Sequence, residues 1–325
     1  MKTATCTQML RDTLADAMRR DPRIFLLGED IGAYGGAFGV TRGLLHEFGA
    51  ERVRDTPISE QALVGVAIGA AAAGARPVVE IMFMDFIALA ADQLVNFAAK
   101  LRYVYGLGCP LVVRAPCGGG RGYGATHSQS LERLFTGVPG LRIAAPATAA
   151  DASALLQTAL QGEDPTIFLE HKLLYPMRWE LPEGLPPALP FGHARVACEV
   201  RDVTIVAWSG MVPPAEAAAA ALAAEGVSAE VIDLRTLCPL DAGTVLASAR
   251  KTARVVVVEE GPRTGGFAAE VACRVFEAAY DCLDAPIRRV TCPDCPIPAA
   301  RTLEAACLPN AATIAAAARA LVGGD

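Results

Sequence analysis

Short runs of apolar, often β-branched residues alternate along this chain with longer segments of helical period. This alternation is typical of a parallel sheet that carries helices on both faces. In the first half it predicts strands at 24–27, 77–81, 111–115, 141–144 and 166–169, and helices at 5–19, 60–74, 86–103 and 149–160.

A proline-rich segment separates the two halves of the chain. Five prolines lie between Pro176 and Pro190, and they disfavour both helix and sheet, so we expect a surface linker there. The alternation then resumes, with strands predicted at 203–206, 229–232, 254–258 and 287–290, and helices at 214–224, 241–250, 266–279 and 311–321. The sequence therefore predicts an α/β chain of two three-layer αβα domains, 1–178 and 194–325, joined by a linker at 179–193.

Composition narrows the classes of protein. Of the 325 residues, 53% are hydrophobic and 20% charged, which is enough apolar material for two cores. The net charge of −6 with no basic stripe argues against nucleic acid or an anionic membrane as a partner. The longest uncharged run, 62–75, is shorter than the roughly 20 residues that cross a bilayer, and the N-terminus resembles no signal peptide. We expect a cytoplasmic protein.

The ten cysteines are spread through apolar sequence, which favours reduced core residues over a disulfide framework. Cys292 and Cys295 form a single CxxC motif. No second pair and no histidine accompany it, and prolines follow it instead of a helix, so we interpret it as structural rather than as a zinc or redox site.

The segment Asp55 to Glu60, DTPISE, leads directly into the small-residue helix predicted at 60–74. A carboxylate at the start of a helix is favoured by the helix dipole and needs no function to explain it. However, Gly65, Gly69 and Gly74 would leave one helix face smooth enough for another backbone to approach. Glu60 would then be desolvated, as a functional carboxylate often is.

Six motifs occur in order and carry a family resemblance. They are LLGEDIG (26–32), DTPISE (55–60), GxAxGAAxAGxRPVxE (65–80), FxDF (83–86), DQLVNxAAK (92–100) and THSQS (126–130). Together with VTIVAWSGM, VIDLRTLCPLD and VVVVEE in the second half, they resemble the beta subunits of thiamine-diphosphate-dependent 2-oxo acid dehydrogenases, the pyruvate, branched-chain 2-oxo acid and acetoin types. The resemblance covers about residues 3–320 and implies a pyrimidine-binding domain followed by a transketolase C-terminal-like domain.

The resemblance assigns roles to five residues. Glu60 would bond N1′ of the cofactor's aminopyrimidine and keep a proton there, which lets the neighbouring amino group act as a base. Phe86 would pack on the pyrimidine, and Glu29 and Ile58 would line the same pocket. His127 would face the substrate and the incoming lipoyl group, where a side chain with a pKa near neutrality suits proton transfer. Without the family, an aromatic such as Phe86 is more often simply core.

The loop that carries His127 permits other interpretations. Its five glycines between 118 and 124 favour a mobile surface loop with a solvated histidine. Ser128 lacks the G-x-S-x-G surroundings of a hydrolase nucleophile. The run Gly120 to Ala125 fits G-x-G-x-x-A after a strand, so a nicotinamide-dinucleotide-binding oxidoreductase is an alternative, although no acidic residue follows the next strand to hold a ribose.

Two partners follow from the resemblance. The chain has neither the GDG segment nor the Asn-Asn pair that holds Mg²⁺ and the diphosphate in such enzymes, so an alpha subunit in an α2β2 heterotetramer would supply them. The second domain would dock on a dihydrolipoyl acyltransferase core that carries lipoyl domains. Family members also bind K⁺ through backbone carbonyls, and the matching positions are Leu111, Ala159, Leu160, Gly162 and Asp164. The substrate stays open between pyruvate, acetoin and branched-chain 2-oxo acids, and a non-catalytic beta-like scaffold is a further alternative.

Overall fold

The computed structural model describes residues 1–197 and 201–323, which form two compact units. The first comprises Met1–Cys117 and Leu134–Phe191, and the second comprises Gly118–Arg133 and Gly192–Asp325. The predicted domains, 1–178 and 194–325 with a linker at 179–193, differ from these two units in two places. The proline-rich segment packs with the first unit, and residues 118–133 belong to the second.

The first unit contains eight strands, β1 to β8, and five α-helices, α1 to α5. The strands are β1 (Lys2–Thr5), β2 (Ile24–Gly28), β3 (Val53–Asp55), β4 (Arg76–Glu80), β5 (Val112–Cys117), β6 (Arg142–Ala144), β7 (Thr166–His171) and β8 (Arg178–Leu181). The helices are α1 (Cys6–Arg20), α2 (Leu44–Phe48), α3 (Glu60–Ala72), α4 (Leu101–Tyr105) and α5 (Ala149–Gln161).

Six of these strands form a parallel sheet in the order β6–β7–β5–β4–β2–β3. Leu26, Val78, Val112 and Phe168 are buried in one cluster with the apolar faces of α1 and α5. Helix α3 packs on β4 and on the helical segment that follows it. The α/β prediction and its central strands are confirmed.

Helix α1 begins later than the sequence suggests, because Thr5 is its N-cap. The Thr5 hydroxyl accepts from the Gln8 backbone N–H at 3.2 Å, and the Gln8 side chain accepts from the Thr5 N–H at 2.8 Å. This reciprocal capping box satisfies two backbone donors that would otherwise lack partners.

Two predictions for the first unit are wrong. The helix predicted at 86–103 is a series of short turns, namely a 3₁₀ helix at Met84–Ala90, a π turn at Gln93–Phe97, a 3₁₀ turn at Ala98–Lys100 and then α4. Tight and wide turns in succession keep an average helical period, so periodicity does not distinguish them from one regular helix.

The proline-rich segment was predicted to contain no sheet, yet β8 lies within it and pairs antiparallel with β1. Its four residues fall between Pro176 and Pro182, so no proline interrupts the pairing. Further along, the Thr158 hydroxyl donates to Leu189 O at 2.7 Å and the Gln157 amide donates to Pro186 O at 2.8 Å. These contacts hold the segment against α5.

The second unit contains strands β9 to β14 and helices α6 to α10. The strands are β9 (Arg195–Val196), β10 (Val203–Ala207), β11 (Ala229–Asp233), β12 (Thr236–Cys238), β13 (Val255–Pro262) and β14 (Arg288–Cys292). The helices are α6 (Val212–Ala224), α7 (Ala242–Thr252), α8 (Phe267–Ala279), α9 (Arg301–Cys307) and α10 (Ala311–Gly323).

Its sheet has the order β14–β13–β10–β11–β9, parallel except for the edge strand β9. Helices α6 and α10 pack together, as do α7 and α8. The predicted strands and helices of this half are confirmed within a few residues, and α9 is an addition. Two glycines, 323 and 324, follow the helix predicted at 311–321, and Gly324 lies outside the described residues.

One stretch, Arg301–Gly323, is long and apolar enough by composition to cross a membrane. It is not one continuous helix, because α9 ends at Cys307 and α10 begins at Ala311. Ile314, Ala318 and Leu321 are buried, so packing within the second unit accounts for the apolar character of α10.

All nine cysteines in the described part of the chain are free thiols. Cys6, Cys109, Cys117 and Cys292 are buried, as expected. Cys273 and Cys295 are exposed, so the prediction that they are core residues is wrong. Apolar neighbours in sequence do not guarantee burial, because successive residues of a helix or loop point in different directions. Cys198 lies outside the described residues.

A buried ion-pair network crosses the centre of the first sheet. Arg114 on β5 donates to both oxygens of Glu170 on β7, at 2.7 and 2.6 Å, and also to Glu80 on β4. The Tyr175 hydroxyl donates to Glu170 as well, at 2.5 Å. Burial works against the charged form of Arg114, but the two carboxylates outweigh it and hold the Arg114 pKa well above its usual value.

We expect Arg114→Met to destabilise the chain by about 3–5 kcal/mol, because it leaves two carboxylates buried without their counter-ion. The matched control is Arg142→Met, whose arginine pairs with Asp164 while 44% exposed and should cost less than about 1 kcal/mol. Urea unfolding of both variants checks this. Equal losses for the two arginines would contradict the assignment.

Candidate functional site

The carboxyl edge of the first sheet is where a parallel α/β sheet binds ligands. From β2 the chain goes to β3 on one side, and then crosses back to β4 on the other side of β2. A crevice forms at such a switch point, outside the carboxyl ends of the two strands. Glu29 directly follows β2, and Phe83 and Phe86 follow β4.

The first two motifs are held together at this edge. Asp55 pairs in register with Gly28, the Thr56 N–H donates to Gly28 O at 3.0 Å, and the Gly32 N–H donates to an Asp55 carboxylate oxygen at 2.7 Å. A Cβ added at Gly32 would lie 2.4 Å from the other Asp55 oxygen. Hydrogen bonds therefore join the LLGEDIG and DTPISE segments. Glu29 and Glu60 lie near each other as a result.

Glu60 is the first residue of α3 and is 5% exposed. In the part of the chain that the structure describes, no group donates a hydrogen bond to its carboxylate. Burial raises the pKa of the neighbouring Glu29 above its ordinary value, and the charges of Glu60 and Asp30 raise it further. The helix dipole favours a negative Glu60, but a buried carboxylate also needs donors. The site can therefore receive a donor from a ligand.

The two other predicted pocket residues differ in burial. Phe86 is half-buried on the 3₁₀ helix, and its ring meets that of Phe83 edge-on, with centroids 6.2 Å apart. Lys172 is fully buried, and its Nζ lies over the Phe83 ring, 5.2 Å from the ring centroid. Ile58 is 81% exposed, so its side chain is not enclosed by this chain.

His127 belongs to the second unit, in the segment Gly118–Arg133. The His127 backbone N–H donates to Gly124 O at 3.3 Å, and the imidazole Nδ1 lies 3.0 Å from the Thr126 hydroxyl. The chain contains no helix between Gly118 and Leu131, the stretch that includes these glycines. The dinucleotide motif requires a helix N-terminus there, so the nicotinamide alternative is wrong.

Four buried glutamates of the second unit have hydrogen-bond partners that the sequence does not reveal. Glu259 and Glu260 end the VVVVEE motif, whereas Glu132 and Glu304 lie in none of the motifs above. Glu260 and Glu304 accept from loop backbone N–H groups, and Glu132 accepts from the Trp208 indole at 3.2 Å. Glu259 accepts from the Ala268 N–H at the start of α8, at 3.2 Å. Burial, reinforced by the charge of Glu132, raises the pKa of Glu259 to about 7.

The predicted potassium ligands are backbone carbonyls that already accept hydrogen bonds. Arg76 donates to Leu160 O at 3.0 Å and also to Gly162 O. Thr166 donates to the carbonyls of Leu111 and Asp164, at 2.8 and 3.3 Å, and Gly162 N donates to Ala159 O at 3.2 Å. The Arg76 guanidinium thus donates to two of the five carbonyls, and potassium binding stays a prediction.

Comparison with known proteins gives the family. Residues 2–178 match the transketolase pyrimidine-binding domain, and residues 192–314 match the transketolase C-terminal domain. The chain belongs to the beta-subunit family of thiamine-diphosphate-dependent 2-oxo acid dehydrogenases. It is 43% identical over 323 residues to the pyruvate dehydrogenase E1 component subunit beta of Rhizobium meliloti, covering 99% of this chain and 70% of that protein.

A second relative is named for a different substrate, acetoin instead of pyruvate. The chain is 45% identical over 327 residues to the acetoin:2,6-dichlorophenolindophenol oxidoreductase subunit beta of Cupriavidus necator, covering 97% of this chain and 96% of that one. Among solved structures, a split-gene transketolase described as an inactive beta4 tetramer matches with a TM-score of 0.77 at 25% identity over 98% of each chain. Membership in the beta-subunit family is clear, and its two domains correspond to the two predicted αβα domains.

The Glu259 pKa predicts a pH dependence of stability. Below the ordinary pKa of 4.5, Glu259 is protonated in both the folded and the unfolded state. Between 4.5 and about 7 the unfolded state releases its proton first, so the free energy of unfolding falls as pH rises and then levels off.

We expect Glu259→Gln to match wild type at pH 4 and to be more stable at pH 8, by about 2–3 kcal/mol. Urea unfolding of the full chain across this range measures the difference, in which the other titrating groups cancel. A wild-type advantage at pH 8 would disprove the raised pKa.

Proposed function

We propose that this chain supplies one half of a thiamine-diphosphate site in the decarboxylase component of a 2-oxo acid or acetoin dehydrogenase complex. The observation that carries the proposal is the Glu60 carboxylate, buried at the mouth of α3 beside Glu29 and without a donor from the described residues. An aminopyrimidine nitrogen that carries a proton is the kind of donor this carboxylate requires.

In this proposal, Glu60 holds a proton at N1′ of the aminopyrimidine, and Phe86 packs on the ring. Thiamine diphosphate, when bound, supplies a nucleophilic carbon that attacks the substrate carbonyl and accepts the electron pair released on cleavage. Burial and the charge of Glu60 raise the pKa of Glu29, so the two carboxylates lie close enough to interact.

His127 moves a proton as the acyl group passes to the lipoyl dithiolane. A histidine suits this step because an imidazole can both accept and donate a proton. The adjacent Thr126 hydroxyl, 3.0 Å from Nδ1, helps to orient the ring.

A separate alpha subunit completes the site, with Mg²⁺ and the diphosphate on its side, in an α2β2 heterotetramer. The first unit offers surface for such a partner. Gly69 and Gly74 of the α3 region have open space where a Cβ would lie. Apolar side chains of this unit are also exposed, among them Val66 at 64% and Tyr103 at 93%. Exposed apolar surface of this kind marks a protein interface.

The lipoyl groups would arrive on a dihydrolipoyl acyltransferase core, to which the second unit docks. Pyruvate, acetoin and branched-chain 2-oxo acids are all compatible with the residues above. The roles proposed for these residues concern the cofactor and proton transfer, and none involves a contact with the substrate side chain. The bound potassium stays a prediction, and no step of this proposal uses it.

We expect Glu60→Gln to lower turnover by roughly 10²–10⁴-fold, the scale of a lost acid–base partner. The assay is acylation of a lipoyl domain by the assembled α2β2 enzyme. The matched control is Glu51→Gln, whose side chain is 93% exposed and which should leave turnover unchanged. Turnover of Glu60→Gln within about threefold of wild type, far below the acid–base scale, would refute the role and favour a non-catalytic scaffold.

For His127→Ala we expect acyl transfer to lipoyl to fall by about 10²-fold or more, while the dissociation constant of the cofactor changes little. Single-turnover acylation and calorimetric titration with thiamine diphosphate measure the two effects. His46→Ala, an exposed histidine, serves as the control. Equal loss of both quantities would show that His127 supports the site as a whole.

A further inference from the structure

The loop that carries His127 cannot hold its own shape. From Gly118 to Leu131 it contains neither helix nor strand. Gly118, Gly120, Gly122 and Gly124 have φ values of +89°, +87°, +72° and +74°, a region that other residues rarely adopt. Four freely rotating glycines cost much conformational entropy to order, so an outside group must fix them.

Glu304 is that group. One carboxylate oxygen accepts from Gly120 N and the other from Gly122 N, each at 2.8 Å. Backbone that alternates between right- and left-handed conformations turns its N–H groups toward one side, and so forms a concave binding place for an anion. Here the anion is the carboxylate of Glu304, which is 2% exposed and therefore makes strong hydrogen bonds.

Neighbouring contacts secure the same stretch. Glu260 accepts from Gly119 N at 2.6 Å and from the Ser130 hydroxyl at 3.4 Å, so the loop is held on both sides of His127. A Cβ at Gly122 would lie 3.2 Å from Ala299 O, just before α9. The glycines thus allow the loop to lie directly against α9.

We propose that Glu304 is a positioning residue for His127. It holds Gly120 and Gly122, and the turn from Gly124 to His127 begins two residues later. The carboxylate on α9 therefore sets where the imidazole stands, without touching the reacting atoms. The significance for catalysis rests on the proposed function, whereas the anchoring itself does not.

The test compares Glu304→Gln with wild type in the full chain and measures the rate at which diethyl pyrocarbonate modifies His127. The exposed His46 in the same sample is the internal standard, and mass spectrometry of the peptides gives both rates. Glutamine keeps the shape but loses the charge, and its amide group faces a glycine N–H. We expect the His127 to His46 ratio to rise roughly tenfold, because two charge-assisted hydrogen bonds are lost.

The control variant is Glu277→Gln, an exposed glutamate on α8, which should leave the ratio unchanged. Glu304→Asp keeps the charge but is too short to reach both N–H groups, so it should give an intermediate ratio; it also replaces Glu304→Gln if that variant does not fold. An unchanged ratio in a folded Glu304 variant overturns the proposal.

In the assembled enzyme, we expect Glu304→Gln to lower kcat for lipoyl acylation about tenfold, with the KM for the 2-oxo acid little changed. If wild type itself does not acylate lipoyl domains, the proposed function fails while the modification ratio still decides the anchoring. If acylation by Glu304→Gln equals that of wild type while the ratio rises, Glu304 orders the loop but does not position His127 for the reaction, and the proposal is overturned.

Discussion

The Arg114 guanidinium lies between two buried carboxylates from neighbouring strands, and the carboxyl edge of the first sheet depends on this arrangement. Glu80 ends β4 and Glu170 lies near the end of β7, while Arg114 is on β5 between them. A shift of any one strand by one residue would turn its charged side chain to the other face of the sheet. At least one desolvated charge would then lose its partner. The network therefore fixes the register at the edge from which the functional segments leave.

The second unit uses buried charge for a different purpose. Glu260 and Glu304 are paired with backbone N–H groups instead of with basic side chains. Irregular backbone cannot satisfy its own donors as a helix or strand does, and a loop of glycines has no side chains to help. A buried carboxylate with two oxygens is an efficient substitute. In both units, then, buried acids hold backbone segments that carry predicted site residues.

The sequence predicts the regular parts of this fold well, because period and strand length follow directly from local chemistry. The parallel strands and most helices are confirmed within a few residues. The segment after β4 is not, since 3₁₀ and π turns share the average period of an α-helix. Strand β8 has four residues between prolines, and its partner β1 lies about 175 residues away in sequence, beyond the reach of any local pattern.

The candidate site shows the same division. Glu60 is identifiable because a motif carries it, and its burial follows from its place at the start of α3. Glu304 is invisible in sequence because its role exists only through Gly120 and Gly122, more than 180 residues earlier in the chain. A motif is therefore enough to propose Glu60 as a site residue, whereas only the fold reveals the contacts of Glu304.

Glu60 and Ile58 explain why such a chain needs a second polypeptide. Glu60 is 5% exposed and no described residue donates a hydrogen bond to it, so part of its hydration is lost at a cost in free energy. Ile58, two residues before it, is largely exposed, which leaves apolar surface in water. A ligand bound between this chain and another subunit would relieve both costs at once, because it would bring a donor to Glu60 and cover Ile58. Cofactor binding and subunit assembly would then be thermodynamically linked, each strengthening the other by the same factor.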